Sequence, residues 1–340
     1  MMSEKSRELF PLCRLSLQIS YFLANQFKLE KAEMSITAKA MQSRTPEFPL
    51  AAHGKTLAAQ RMGWLTPTDP AIGVDAIRHR YQNDGYVWLK GLLRRADVID
   101  FRGWVFERLA VTGLVEPGSD FSQGIASAAS FDWSLADRRL MSLVRSAAYE
   151  GFCAQPPLTR FMDDFLQGIS YLHKRKLMRF TQPGSPTATP AHYDLVYLRG
   201  GTSRLVTAWI PIGDIPAEMG GLVYLEGSHA LGVKMEAEFQ AASGDLSPEE
   251  RISAYNSHMK EGGWVSKDLP DMAERFDTRW LAADYEAGDV VLHSPYMIHA
   301  STTSQDSSRR LRLSTDIRYQ NVDDEIDARW NNHWSLGDIL

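Results

Sequence analysis

Cysteine is nearly absent from this chain: the 340 residues contain two, Cys13 and Cys153. They stand far apart and outside any metal-type spacing, which argues against a disulfide framework or a zinc finger and suits a reducing compartment. An excess of positive charge is also missing. The formal net charge is −5, so nothing draws the chain to nucleic acid or to an anionic membrane surface. No uninterrupted apolar run of about 18 residues occurs, and no membrane span is expected. The most apolar N-terminal stretch, LCRLSLQISYFLA, is broken by Arg14 and Gln18 and preceded by Glu4 and Glu8. It reads as a helix or flexible extension rather than a signal peptide. The C-terminal GDIL is no peroxisomal address, so the expected compartment is the cytoplasm. Internal repeats and low-complexity tracts are lacking. What is present is an ordinary globular composition, 44% hydrophobic and 23% charged, with ample chain for one large domain or two small ones.

Residues 1–70 read as an N-terminal extension whose second half is interrupted by Pro46, Pro49, Pro67 and Pro70. A single domain is expected over 71–330, followed by a tail at 331–340. Its first half is helical. DAIRHRYQNDGYVWLKGLL gives a helix, a turn at Asn83-Asp84-Gly85 and a strand at Tyr86–Leu89. Asp97–Leu109 gives another helix. Leu140, Leu143, Val144 and Ala147 mark one buried helical face, and Leu158, Met162, Phe165 and Leu166 mark a second. After residue 175 short strands take over: 177–180, 205–212, 222–225, 290–292 and 311–319, separated by glycine-containing turns. Helices followed by strands predict a mainly β fold with a helical buttress, its core over about 175–320. A polar insertion at about 230–280 holds Ser247-Pro248-Glu249-Glu250, a capping box with proline at the first helical position. Lying between core strands, it is a candidate lid.

The chemistry-bearing residues sit among the strands. AHYDLVYLRGG (191–201) places His192 and Asp194 one residue apart. If the stretch is a strand, both point inward and Tyr193 points away. An imidazole and a carboxylate so placed can fill two corners of an octahedral metal, and one more histidine completes a 2-His-1-carboxylate triad with open positions. EAGDVVLHSPYMIHAS offers two candidates, His293 and His299. Further on, RLRLSTDIRY alternates so that Arg310, Arg312 and Ser314 share a face. An arginine lining the interior needs an anion, which a dicarboxylate cosubstrate would supply.

In this order, H-Y-D, AWIPIGDIPAEMGGLVYLEGSHA, AGDVVLHSPYMIHAS and RRLRLS resemble the phytanoyl-CoA dioxygenase family, over about 170–320 and more loosely over 74–110. The resemblance implies a double-stranded β-helix (jelly-roll, cupin-like) core and an Fe(II)- and 2-oxoglutarate-dependent dioxygenase that consumes O2. It implies that His192, Asp194 and His299 hold the iron and that Arg310 binds the distal carboxylate of 2-oxoglutarate. Ser301 then matches a second contact to that carboxylate, and Trp209 an aromatic lining the cosubstrate pocket. His229, in the G-S-H turn, is set aside as structural. His293 remains the rival of His299, and Arg309 the rival of Arg310. Asp194 favours oxygenation over halogenation, because halogenating relatives carry a small residue there.

The substrate expected is a small, largely apolar metabolite, probed by an oxygenase of secondary metabolism that hydroxylates a C–H bond. Methyl oxidation or ring expansion of a polyketide aromatic, and hydroxylation of an acyl-CoA, are the alternatives. A silent ligand-binding barrel and a cupin-type metal enzyme are the readings outside this class. Aromatic residues before the iron pair, Trp133 and Phe131 among them, read as core rather than pocket. Lys174-Arg175-Lys176 reads as a solvated turn. The oligomeric state is left open.

Overall fold

The computed structural model describes residues 49–242 and 265–335, all of them in the compact unit Pro46–Leu340. Strands β1 (Ala51–Ala52) and β2 (Lys55–Thr56) make a small hairpin. Eleven more strands build two sheets: β3 (Met62–Trp64), β4 (Pro67–Thr68), β5 (Tyr86–Leu89), β6 (Ser170–Leu172), β7 (Leu177–Thr181), β8 (Val206–Pro211), β9 (Leu222–Leu225), β10 (Trp280–Ala282), β11 (Val290–His293), β12 (His299–Ser301) and β13 (Arg312–Asn321). The larger sheet runs β4-β5-β11-β8-β13-β6, with β7 also paired to β13; the smaller runs β12-β9-β10-β3. Trp88, Trp209 and Val291 of the larger sheet meet Leu222, Tyr224 and Leu281 of the smaller in one buried cluster. Two facing sheets around a shared interior are the mainly β, helix-buttressed fold expected from the strand pattern, and fit the double-stranded β-helix that the resemblance implies.

Helices cover the flanks. They are α1 (Val74–Asp84), α2 (Arg95–Leu109), α3 (Trp133–Leu143), α4 (Ala147–Cys153), α5 (Pro156–Leu166), a single turn α6 (Leu195–Leu198), α7 (Ser228–Ala242) and α8 (Leu269–Arg275). The Asn-Asp-Gly turn ends α1 as its spacing predicts: Gly85 takes the left-handed conformation (φ 76°) and its N–H closes on the Tyr81 carbonyl. Pro156 opens α5, whose Leu158, Met162 and Phe165 are buried on one stripe. Phe101 of α2 stacks on Phe152 of α4 with ring centroids 4.0 Å apart, locking these two helices together.

The structure corrects several expectations. The extension does not reach residue 70, because β3 pairs in parallel with β10 and β4 with β5. Pro67 opens an edge strand, where a missing N–H costs no ladder bond. The face drawn through Leu140 and Ala147 is split between two helices. Ser146 caps a new one, its side chain accepting the Tyr149 N–H, a stop-and-restart that a periodic count overlooks. The run at 174–176 is not solvated throughout: Arg175 and Lys176 are buried. Lys176 pairs with Glu150 at 2.7 Å, and Arg175 lies over the Trp330 ring. Within the expected insertion, α7 and α8 are packed elements. The helix expected from Ser247 and the N-terminal extension up to residue 48 lie outside the described residues. Among the described residues, no helix is long and apolar enough to cross a membrane.

Candidate metal and cosubstrate site

His192 and Asp194 do not lie on a regular strand. His192 forms an isolated bridge with His299, exchanging both backbone hydrogen bonds at 3.0 and 2.9 Å. Asp194 has helical dihedrals and caps the one-turn α6. The chain therefore turns within the motif. The inward placement of both side chains survives, since His192, Asp194 and His299 bring one donor atom each within 4.8 Å of the others. Tyr193 points away: it is buried, and its hydroxyl donates to Glu236 at 3.1 Å.

The tautomers follow from the partners. His192 Nδ1 lies 2.8 Å from the Pro190 carbonyl and His299 Nδ1 2.9 Å from that of Met297. A carbonyl can only accept, so Nδ1 carries the proton in both and each Nε2 keeps its lone pair. Burial lowers both pKa values, against the opposing pull of Asp194, and that of His299 falls well below the ordinary 6.5 with His192 and His293 beside it. Asp194 is 1% exposed. Burial alone would raise its pKa, but the Arg318 guanidinium, then His293 and His299, hold it well below the ordinary 3.8. Two neutral imidazoles and one carboxylate are the donor set that suits a divalent iron ion.

A polar row in the larger sheet supports that carboxylate. His293 on β11, Thr207 on β8 and Arg318 on β13 stand directly opposite one another in register, so their side chains share the inner face. All three reach Asp194: Thr207 donates its hydroxyl to Oδ2, His293 Nε2 donates to the same oxygen at 3.3 Å, and Arg318 Nη2 lies 3.2 Å from both oxygens. His293 in turn accepts from the Tyr224 hydroxyl at 3.0 Å. His293 stands behind the carboxylate, outside the cluster of His192, Asp194 and His299. His229 stays out as expected. The adjacent Ser228 accepts the Ile298 N–H, tying the G-S-H turn to the segment that delivers His299.

Arg310 does not enter the interior. It precedes β13, and its side chain, 32% exposed, bonds to Ser308 and Asp306. Arg309 points to Glu116 and the Ala126 carbonyl. The arginine on the inner face is Arg312, in phase with Arg318 along β13 and 7% exposed. It donates to the Gly220 carbonyl, its Nε has no partner, and among the described residues it has no ion pair. Burial brings its pKa down to about 10, a fall that the nearby Asp316 offsets only in part. An orphaned, buried guanidinium is what a carboxylate-bearing cosubstrate requires. Ser301 is buried on β12, its hydroxyl accepting the Thr189 N–H at 2.7 Å. Trp209, on β8 in phase with Thr207, packs on Tyr285 with centroids 4.7 Å apart.

Residues 81–311 match the model of the phytanoyl-CoA dioxygenase (PhyH) family. The chain belongs to that family. It is an Fe(II)- and 2-oxoglutarate-dependent dioxygenase. Among curated PhyH-type relatives, 1-deoxypentalenic acid 11-beta-hydroxylase of Streptomyces exfoliatus is 23% identical over 261 residues, 72% of this chain and 81% of that protein. The Streptomyces arenae enzyme of the same name is 24% identical over 255 residues, with the same coverage. Among solved structures, the epimerase SnoN in complex with Fe3+, alpha ketoglutarate and nogalamycin RO superposes with a TM-score of 0.51 at 19% identity, over 80% of this chain and 94% of that one. It supports the PhyH fold.

The sequence reading passed over Arg318 and Thr207, and placed Arg312 on the inner face without giving it a role. Continuing the alternation that links Arg310, Arg312 and Ser314 would have reached Arg318. The arginine spacing of the motif pointed to Arg310, and only the point at which the chain joins the sheet separates it from Arg312.

Proposed function

We propose that His192, Asp194 and His299 hold Fe(II), that Arg312 receives the distal carboxylate of 2-oxoglutarate, and that the enzyme hydroxylates a C–H bond of a small, largely apolar metabolite of secondary metabolism. The observation that carries this reading is the three-donor cluster with both Nδ1 protons committed to backbone carbonyls. With 2-oxoglutarate and O2, iron supplies an oxidant able to take a hydrogen atom from an unactivated C–H bond while the cosubstrate becomes succinate and CO2. The chain's own work is different. The two Nε2 atoms and one Asp194 oxygen would hold the ion and leave it accessible to the cosubstrate. The row of His293, Thr207 and Arg318 keeps Asp194 ionised and stops it rotating. Arg312 orients the cosubstrate by its far end, while Trp209 and Tyr285 wall off water. Hydroxylation is the reaction for which the Streptomyces relatives are named, and their substrate is an acid. Scarce cysteine favours a cytoplasmic setting.

The test is an anaerobic titration with Fe(II) and 2-oxoglutarate, following the visible charge-transfer band, and then admission of O2 with assay of succinate. A band and succinate in the wild type, both lost in His299→Ala, are expected. Iron binding that persists in His299→Ala would overturn the ligand assignment.

A further inference from the structure

Helix α7 touches both of the segments that carry the metal donors. Ser228, Gly232 and Glu236 recur at every fourth position, so they share one face of the helix, and all three are buried. Ser228 accepts the Ile298 N–H at 3.1 Å, one residue before His299. Gly232 rests on the backbone at Tyr296, where a Cβ would collide with the Tyr296 carbonyl. Glu236 reaches the other segment. Its carboxylate accepts from the Tyr193 hydroxyl at 3.1 Å and from Arg199, whose Nε lies 2.9 Å from each oxygen and whose Nη2 lies 2.8 Å from Oε2. Gln240, one turn further along α7, donates to Oε1 at 2.6 Å. Val233, Lys234, Ala237 and Glu238 are exposed on the remaining surface of the helix.

Tyr193 and Arg199 bracket Asp194 and the single turn α6. Tyr193 immediately precedes the ligand, and Arg199 ends the turn. Arg199 Nη2 also donates to the Tyr193 hydroxyl at 3.2 Å, which closes a triangle with Glu236. The two donor segments meet directly as well, through the His192–His299 bridge and the Leu195 N–H on the Pro295 carbonyl at 2.8 Å. Thr207, His293 and Arg318 hold the side chain of Asp194. The Glu236 cluster instead holds the main chain on either side of it. A buried ion pair adds little net stability over apolar side chains of the same volume. What the Arg199 fork on Glu236 adds is orientation, since its N–H donors fix both groups in one plane.

We propose that Glu236 is a positioning residue for the metal centre. Through Tyr193 and Arg199 it sets the main chain that carries Asp194, and through α7 it holds that chain against the segment delivering His299. The proposal rests on the iron-site reading above and deepens it. The three donors are brought into place before the ion arrives, and the affinity for the ion gains what ordering them would otherwise cost. Glu236 itself lies outside the three-donor cluster.

The experiment compares the full-length wild type with the paired replacement Arg199→Met and Glu236→Met, with Tyr193→Phe, and with Phe152→Leu in the stack of α2 on α4. Each metal-free protein is unfolded in urea, and each folded protein competes with the chelator mag-fura-2 for Fe(II) without oxygen. The paired replacement strands no charge. It should keep a urea midpoint close to that of the wild type and lose about tenfold or more in Fe(II) affinity. Tyr193→Phe keeps the ring and the ion pair and should lose about threefold. Phe152→Leu should lower the urea midpoint and leave Fe(II) affinity within about twofold. Affinity within about twofold of the wild type in the folded paired replacement would overturn the proposal and leave the cluster a packing element. If that protein does not fold, Tyr193→Phe decides, and an unchanged affinity there overturns the proposal. A loss in Phe152→Leu as large as in the paired replacement would overturn it too, since any destabilisation would then suffice. A wild type that takes up no Fe(II), or a His299→Ala protein that takes up as much as the wild type, would instead defeat the iron-site reading, and the proposal with it.

Discussion

The two ends of β13 present the same side chain in opposite circumstances. Arg318 and Arg312 lie on one face of one strand and both are buried. Arg318 has Asp194 as a permanent counter-charge, whereas Arg312, among the described residues, is hydrogen-bonded to a carbonyl and has no direct ion pair. The guanidinium without an ion pair is the one proposed above to receive an anion from outside. The contrast separates a residue that serves the metal ligand from one that serves a transient partner.

The contrast breaks most severely at Asp194. Asp194→Ala removes a metal donor and strands the Arg318 charge in the interior, a loss of about 3–5 kcal/mol. Urea unfolding should show that cost, and the same protein should fail to take up Fe(II). At the other end, Arg312→Gln should weaken 2-oxoglutarate on the order of 10- to 100-fold, measured by the iron charge-transfer titration, with Fe(II) affinity unchanged. Arg310→Gln should stay within about twofold; equal losses for the two would return the cosubstrate to Arg310. Without cosubstrate, Arg312→Met should be neutral or stabilising and Arg318→Met destabilising. A milder change is His293→Phe, which removes one of the three donors to Asp194 Oδ2 and should lower Fe(II) affinity by roughly 10-fold. A loss as complete as that in His299→Ala would make His293 a ligand.

The smallest effect is on pH. Burial lowers the pKa of His173, His192 and His299 below the ordinary 6.5. The unfolded chain therefore binds more protons than the folded one just below that value. Stability of the metal-free protein is full above pH 6.5 and falls as the pH drops towards 5. A thermal midpoint that declines over that range, by about 2–4 °C per kcal/mol, is expected. A flat profile would show that these histidines are no more desolvated than in the unfolded chain.

Strands were read from the sequence with good registration where a continuous apolar run was bounded by turn residues, as at Leu222–Leu225 and Tyr86–Leu89. The iron motif was found by its residue types, although its local conformation was misread. A bridge followed by a helical turn leaves no period of two, and His192 and Asp194 converge because the chain bends there. Arg310 and Arg312 could not be told apart by spacing, since what distinguishes them is the first pair of the β13 ladder, Arg312 with Thr181. Glu236 was beyond reach altogether. It meets Arg199 and Tyr193 in a buried cluster, and nothing in the composition of α7 announces a partner beside the metal motif.

The backbone bridge between His192 and His299 gives an ion held by their imidazoles a second role. It would clasp two segments that are remote along the chain, and only in the folded protein. Any ion bound solely by the native state adds to its stability in proportion to occupancy. Iron supply would then govern how long each molecule persists as well as how fast it turns over.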